Sequence, residues 1–283
     1  MPQTIGNPLP WTAPPAGAGD APMPAGLTGR AAAGSVPAVR RLSLSDLRRA
    51  LARGADDLSA FRSDVMFACL LYPVVGIVLV ALTLRGGGPH LVFPFLSGFA
   101  LAGPVAAVGL YEMSRRRERG EPVSWLAYLD VLRSRRVGAV LGLALFHGVI
   151  FMAWIMAANT LYGATLGPLP PESLGALLRE AATTRAGWAL IVSGTAVGFL
   201  FAALTLATSL VSFPMLLDRR VGIGTAIATS VRVALRNPVV VGAWGLIVAA
   251  ALALGILPAL LGLVIVLPLL GHATWHLYRA AVE

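Results

Sequence analysis

Apolar residues recur in five long stretches between Val65 and Leu277, separated by short segments rich in arginine, glycine and proline. A membrane-spanning helix needs about 20 apolar residues to cross a hydrocarbon core roughly 30 Å thick. The last stretch is too long for one span, and Gly255 and Pro258 lie where a helix would break. The pattern therefore predicts an all-α, polytopic membrane bundle of six transmembrane helices. The predicted spans are Val65–Leu84, Leu91–Glu112, Val137–Asn159, Trp188–Phe213, Val239–Leu254 and Pro258–Leu277.

The positions of the arginines predict the orientation of these spans. All 22 basic residues are arginine, and 19 of them fall on segments that would share one side of the membrane. Only Arg85, Arg179 and Arg185 fall on the other side. Because basic loops are retained in the cytoplasm, both termini are predicted to be cytoplasmic. The same distribution accounts for the net charge of +9 without nucleic acid as a partner.

The chain before the first span divides into two parts. Residues 1–40 are rich in proline, alanine and glycine, and this composition predicts a disordered tail. Residues 41–63 carry leucines at near-helical spacing with arginines between them, which predicts an amphipathic cytoplasmic helix. Such a helix either lies on the lipid surface or packs on the protein's own loops. Residues 64–283 are then the six-helix transmembrane domain.

Two cytoplasmic loops resemble each other and predict an internal repeat. In each loop a basic segment leaves one span, an amphipathic helix follows, and the next span begins directly after it. The predicted apolar faces are Trp125, Leu126, Leu129 and Leu132 in the first helix and Ile227, Val231, Ala234 and Leu235 in the second. The chain thus contains two related units of span, surface helix and span. Such repeats flank a midplane site in transporters, but duplication also serves packing alone.

Three histidines are the candidate cofactor-binding residues. His147 falls halfway along the third span, and His272 and His276 lie one turn apart near the inner end of the sixth. An ionisable group inside a membrane is a functional candidate, and histidines at such depths could hold haem or relay a proton. The alternative is that they are hydrogen-bonded packing or interfacial residues. We favour this alternative and expect no cofactor, no metal ligand, no catalytic residue and no enzymatic activity.

Several sequence blocks resemble a known family. They are Ser212–Asp218, Ala226–Pro238, Gly242–Leu246 and above all Gly271–Tyr278. Together they resemble the bacterial predicted integral membrane proteins named domain of unknown function 2189. The resemblance covers residues 41–282, and its specific part is the C-terminal third. It implies a bacterial inner (cytoplasmic) membrane protein and carries over no activity and no catalytic residue.

Three functions are compatible with the sequence. The leading hypothesis is a non-enzymatic interaction or scaffold protein whose partners are the lipid bilayer, anionic lipid headgroups and other membrane proteins. The alternative is a small-solute transporter or channel built on the repeat. The third is a haem-binding respiratory accessory subunit. Carboxylates are absent from the interiors of the predicted spans, and ion-coupled carriers usually bury one, which disfavours that type of transporter.

Overall fold

The computed structural model describes residues 37–60, 69–101, 103–123, 130–131 and 133–283. These residues form helices and no named strand, so the predicted helical class is confirmed. Most of the predicted tail, residues 1–36, lies outside them, as do residues 61–63 of the predicted surface helix. The helices are α1 (Leu44–Ala60), α2 (Leu71–Arg85), α3 (Val92–Leu101), α4 (Gly103–Ala106), α5 (Val108–Glu118), α6 (Val137–Thr165), α7 (Leu174–Thr183), α8 (Arg185–Ser209), α9 (Ser212–Asp218), α10 (Ile223–Arg236), α11 (Pro238–Ile256) and α12 (Leu263–Ala281), with a 3₁₀ turn at Pro89–Leu91.

Three helical segments among the described residues are long and apolar enough to cross a membrane. They are Val137–Thr165, Arg185–Asp218 and Pro238–Ile256, and they coincide with the third, fourth and fifth predicted spans. Helix α2, at the first predicted span, is apolar but has 15 residues. The described residues therefore support three spans, and the count of six stays a prediction.

The second predicted span is interrupted by a turn. Ala107 separates α4 from α5, whereas the residue between α3 and α4 lies outside the described part of the chain. Pro104, three residues before this turn, has no N–H to donate to the preceding turn of the helix. Helix α5 then buries every residue from Val108 to Ser114.

The sixth predicted span begins later than its sequence indicates. Helix α11 ends at Ile256, which confirms the predicted break, and turns continue to Gly262 before α12 begins. A side-chain carbon on Gly262 would lie 2.8 Å from the Gly255 Cα, so this reversal brings the two backbones into contact. The turn takes up residues that were assigned to the span, and α12 starts at Leu263 instead of Pro258.

Helix α12 lies at the centre of the described fold, and α1 packs along it. Helix α1 buries Leu47, Ala50, Gly54 and Asp57, which recur every three or four residues and so share one face. Gly54 touches the α12 backbone, since a Cβ at this position would lie 2.7 Å from the Ala273 nitrogen. Of the two interpretations of α1, the structure favours packing on the protein, although the surface that it covers is a helix and not a loop.

Helix α10 buries a different face from the one predicted. Its buried residues are Ala226, Thr229, Ser230 and Val233, whereas Leu235 is 76% exposed. The apolar face predicted for this helix is therefore not the face that the fold buries, and Leu235 belongs to the exposed surface. Small side chains face inward because α10 packs closely on α8 and α9. The matching face in the first unit falls on residues outside the described part, so the equivalence of the two helices stays a prediction.

Residues 37–43 tie the beginning of the described chain to its end. Val39 forms an isolated antiparallel bridge with Val282. The Asn237 side chain, 5% exposed as a residue, accepts a hydrogen bond from the Leu42 N–H at 2.7 Å. It also donates to the Arg40 carbonyl at 3.1 Å. These bonds hold the segment before α1 against the junction of α10 and α11.

Candidate functional site

A buried carboxylate joins three helices. Asp57 of α1 has a side chain that is only 5% exposed. Its Oδ2 atom accepts a hydrogen bond from the Ser114 hydroxyl of α5 at 2.6 Å and lies 2.9 Å from Nε2 of His276 of α12. Its Oδ1 atom accepts from Nη1 of Arg117 of α5 at 2.5 Å. We call Asp57, Ser114, Arg117, His272 and His276 the polar clamp, because they hold α1 on α5 and α12.

The hydrogen bonds of the clamp define the tautomer of His272. This side chain is fully buried, and its Nδ1 lies 2.7 Å from the Ser114 oxygen. The Ser114 hydroxyl has one proton, which it donates to the Asp57 carboxylate, so it must accept from His272. We infer that His272 carries a proton on Nδ1.

The same three residue types occur in hydrolases, but the clamp is arranged differently. In a hydrolytic triad the serine donates to the histidine, and the carboxylate orients that histidine from its other nitrogen. Here Ser114 donates directly to Asp57, and the exposed fractions of Ser114, Asp57 and His272 are 1%, 4% and 0%. A substrate has no access to a hydroxyl in this position, so the arrangement suits helix attachment and not acyl transfer.

The clamp also determines the ionisation of Asp57. Burial by itself raises the pKa of this carboxyl. The hydrogen bonds from His276 and Ser114, and the positive charge of the two histidines when protonated, act in the opposite direction. Their combined effect is larger, and the pKa falls to about 2. Asp57 is therefore an ionised acceptor at neutral pH.

His147 belongs to a separate network. Its Nδ1 lies 2.9 Å from the Leu143 carbonyl oxygen on α6, and its Nε2 lies 3.2 Å from the Thr208 hydroxyl on α8. The Leu143 carbonyl can only accept, so Nδ1 carries the proton, and the Thr208 hydroxyl divides its one proton between Nε2 and the Leu204 carbonyl oxygen, which lies 2.8 Å away. The Phe213 ring packs beside His147, with ring centroids 5.3 Å apart. His147 thus connects α6 and α8 within the bundle.

The structure brings together only two of the three candidate histidines. His272 and His276 share the clamp, whereas His147 has its partners on α6 and α8. Within the described ranges, no group of three His, Cys, Asp or Glu side chains is arranged to hold a metal ion. That none of the three binds haem stays a prediction.

A second charged cluster surrounds an open pocket of about 240 Å³ at the ends of α5, α9 and α12. Arg119 contacts Asp218 at 3.1 Å, and Arg279 contacts Glu118 at 3.0 Å. The Trp275 indole N–H donates to Glu118 at 3.0 Å. We call this the arginine pocket, and its lining residues are Arg115, Glu118, Arg119, Asp218, Trp275 and Arg279.

Most residues of the polar clamp and of the arginine pocket were not identified from the sequence. One available signal was the spacing of Leu47, Ala50, Gly54 and Asp57. It places Asp57 on the face of α1 that carries small and apolar residues. For Ser114 and Asp218 the sequence carries no comparable signal, because their partners lie far away in the chain.

Comparison with known families identifies one segment of the chain. Residues 92–218 match the family DUF2189, predicted integral membrane protein. The resemblance inferred from the sequence is confirmed. The DUF2189 match covers α3 to α9 and therefore less of the chain than residues 41–282. Of the blocks that suggested it, the match contains Ser212–Asp218 but not Gly271–Tyr278.

The DUF2189 segment contributes Ser114 and Arg117 to the clamp and Asp218 to the pocket, whereas α1 and α12 lie outside it. No curated protein and no solved structure matches the chain. The protein is thus a predicted integral membrane protein of unknown function.

Proposed function

We propose that this is a non-enzymatic, multi-pass protein of the bacterial inner membrane that docks on anionic lipid headgroups through two basic cytoplasmic helices, α1 and α10, and serves there as an interaction scaffold. The observation that carries the proposal is the attachment of α1. One face of this helix is held by the clamp, and Arg48, Arg49 and Arg53 remain exposed on the rest of its surface.

Helix α10 supports the proposal independently. Arg232 and Arg236 are exposed, and the exposed Leu235 lies between them in the chain. Arginines beside an apolar side chain suit the boundary between headgroups and acyl chains. Each arginine near an anionic leaflet contributes about 1 kcal/mol, and salt weakens this attraction.

The attachment of α1 and α10 to each other favours docking on lipid. Asn237, directly after α10, is hydrogen-bonded to the segment that leads into α1. The two helices are therefore joined, and their arginines are presented in a constant arrangement. A preorganised basic surface loses less conformational entropy on binding than flexible loops would.

The space between the apolar helices favours the scaffold over the transporter. A pocket among α2, α3, α11 and α12 has a volume of about 20 Å³, close to that needed for a single water molecule. Its lining is almost entirely aliphatic, with Tyr72 as the one polar side chain and Leu252, Ile256 and Leu263 among the others. Such a pocket is a gap in the packing of the helices. It supports a role that does not require the passage of a solute.

The proposed orientation is tested by single cysteines at exposed positions in a Cys69→Ala background. Ser45 and Glu121 are predicted to be cytoplasmic, and Leu169 and Glu172 to be outside. An impermeant thiol reagent applied to intact cells should label cysteines at Leu169 and Glu172 only. Labelling from outside at Ser45 or Glu121 would contradict the orientation on which the proposal depends.

Lipid docking is tested by neutralising the exposed arginines of α1. We expect the triple variant Arg48→Gln, Arg49→Gln, Arg53→Gln to retain several-fold less anionic lipid per protein after mild detergent extraction. The matched control is Arg179→Gln with Arg185→Gln, on the opposite predicted side, which should retain the wild-type amount. Quantitative lipid mass spectrometry at low and high salt measures the difference. Equal retention by the triple variant and the wild type would refute docking through α1.

A further inference from the structure

We propose that the arginine pocket is a binding site for a phosphate monoester, either the headgroup of a lipid or a small soluble phosphate. The site is separate from the exposed arginines of α1, so this proposal goes beyond the docking function and does not rest on it. It rests on the shape of the pocket and on the balance of charge around it.

The pocket has a suitable size and a suitable set of donors. Its volume of about 240 Å³ is far larger than the roughly 10–15 Å³ that a single water molecule needs. Arginine guanidinium groups present planar N–H forks that match phosphate oxygens. Arg119 and Arg279 are 44% and 40% exposed in their side chains, so their N–H groups remain accessible from the pocket.

The surrounding charge is positive beyond what the carboxylates neutralise. Glu112 pairs with Arg115 at 2.7 Å, and Glu118 and Asp218 pair with Arg279 and Arg119. Arg136, directly before α6, adds a fourth arginine. Burial and then the charge of Arg115 lower the pKa of the Arg136 guanidinium, whereas Asp218 and Glu112 raise it and Arg119 lowers it further. Within the described part of the chain, the Arg136 guanidinium forms no ion pair with a carboxylate.

Among the residues that line the pocket, three arginines stand against two carboxylates, which leaves one positive charge in excess, and Arg219 is nearby. The Arg219 Nε donates to the Tyr278 hydroxyl at 3.1 Å, and that hydroxyl donates to Asp218 at 2.8 Å. A phosphate monoester carries a charge of about −1.5 to −2 at pH 7. It would replace Asp218 as the acceptor for Arg119, at a site where arginines already converge from α5 and α12.

The proposal predicts that two substitutions change the affinity for phosphate in opposite directions. Arg119→Gln removes a donor and a positive charge, so it should weaken phosphate binding about tenfold or more. Asp218→Asn removes a competing negative charge while keeping an acceptor for Tyr278, so it should strengthen phosphate binding several-fold. A purely structural role of the two residues would make both variants less stable and would not produce this reversal. The matched control is Arg179→Gln on α7, which is exposed and lies outside both the pocket and the docking helices, and it should bind as the wild type does.

The experiment uses the full-length protein with two phosphate probes. The first arm titrates inorganic phosphate against detergent-purified protein at constant ionic strength, with chloride as the reference, and follows the thermal unfolding midpoint. The second arm compares nanodiscs that contain phosphatidic acid, a monoester, with nanodiscs that contain phosphatidylglycerol, a diester. We expect a rise in the midpoint that Arg119→Gln reduces and Asp218→Asn enlarges.

The two arms distinguish the sources of the phosphate. A response to inorganic phosphate identifies a soluble ligand, and a response only to phosphatidic acid identifies a lipid headgroup. Either response, with the reversal between the two variants, supports the site. No response in either arm, or variants that change the response in the same direction, would overturn the proposal.

Discussion

Replacing Asp57 with alanine should release α1 from the bundle. The substitution removes the carboxylate that accepts from Ser114, His276 and Arg117, all of which contact it within 2.9 Å. Breaking a buried charge pair by removing one partner costs about 3–5 kcal/mol. Since about 1.4 kcal/mol corresponds to a tenfold change in an equilibrium, the population with α1 detached should rise by at least about 100-fold.

Limited proteolysis measures this population directly. Trypsin cleaves after arginine, and α1 carries Arg48, Arg49 and Arg53 on its exposed surface. Cleavage of a folded helix follows the population of its open form when opening and closing are fast. Asp57→Ala should therefore be cut within α1 about 100-fold faster than the wild type, with the fragments identified by mass spectrometry.

The neighbouring residue provides the control for this variant. Asp56 lies beside Asp57 in the chain but is exposed, and its backbone carbonyl, not its carboxylate, accepts the hydrogen bond from the Ser59 hydroxyl. Asp56→Ala removes the same charge from the same helix and should leave the cleavage rate within about twofold of the wild type, as surface substitutions usually do. Equal rates for the Asp56 and Asp57 variants would show that the clamp does not attach α1.

How far the sequence predicted the fold depends on the range of each interaction. Apolar stretches are local signals, so α6, α8 and α11 fall on the third, fourth and fifth predicted spans. The break after Gly255 was found for the same reason, because glycine and proline act on their own turn. The start of α12 at Leu263 was not found, since it depends on the close contact between the Gly255 and Gly262 backbones.

The candidate site was less predictable, because its contacts join distant parts of the chain. His272 and His276 were selected for their spacing, but their partners Ser114 and Asp57 are 158 and 219 residues away. No local pattern links such positions. His147 was selected for its depth in a span, and its hydrogen bonds to Leu143 and Thr208 connect two neighbouring helices. Residue type identified the histidines, and only the packing of the helices shows what each one contacts.

The packing of α10 shows the same limit in another form. Apolar spacing placed Leu235 on the apolar face of this helix, but the face that the structure buries carries Thr229 and Ser230. In a membrane protein an apolar residue is stable against lipid as well as against protein, so hydropathy does not distinguish the two environments. Small size and an internal hydrogen-bond partner decide the inner face. The Thr229 hydroxyl, for example, donates to the Thr225 carbonyl at 2.8 Å.

Gly54→Ala should also detach α1, although the substitution would stabilise most helices. Alanine is favoured over glycine by about 1 kcal/mol in a helix interior. In the folded protein, however, the new Cβ would lie 2.7 Å from the Ala273 backbone nitrogen and 2.9 Å from its Cα. These backbone atoms cannot turn away as a side chain could, so α1 and α12 must separate. Overpacking of this kind costs about 1–3 kcal/mol.

Two readouts of opposite sign test this explanation. Circular dichroism of an isolated α1 peptide should show more helix with Gly54→Ala, whereas tryptic cleavage within α1 of the intact protein should be about tenfold to 100-fold faster. Gly242→Ala on α11 is the matched control, because a Cβ there meets no atom within 4 Å, and it should not accelerate cleavage. Ala273→Gly should not rescue the Gly54 variant, since the closest contact is to the backbone nitrogen and not to the Ala273 side chain. Rescue by Ala273→Gly, or unchanged cleavage of Gly54→Ala, would mean that α1 and α12 are not in backbone contact at this position.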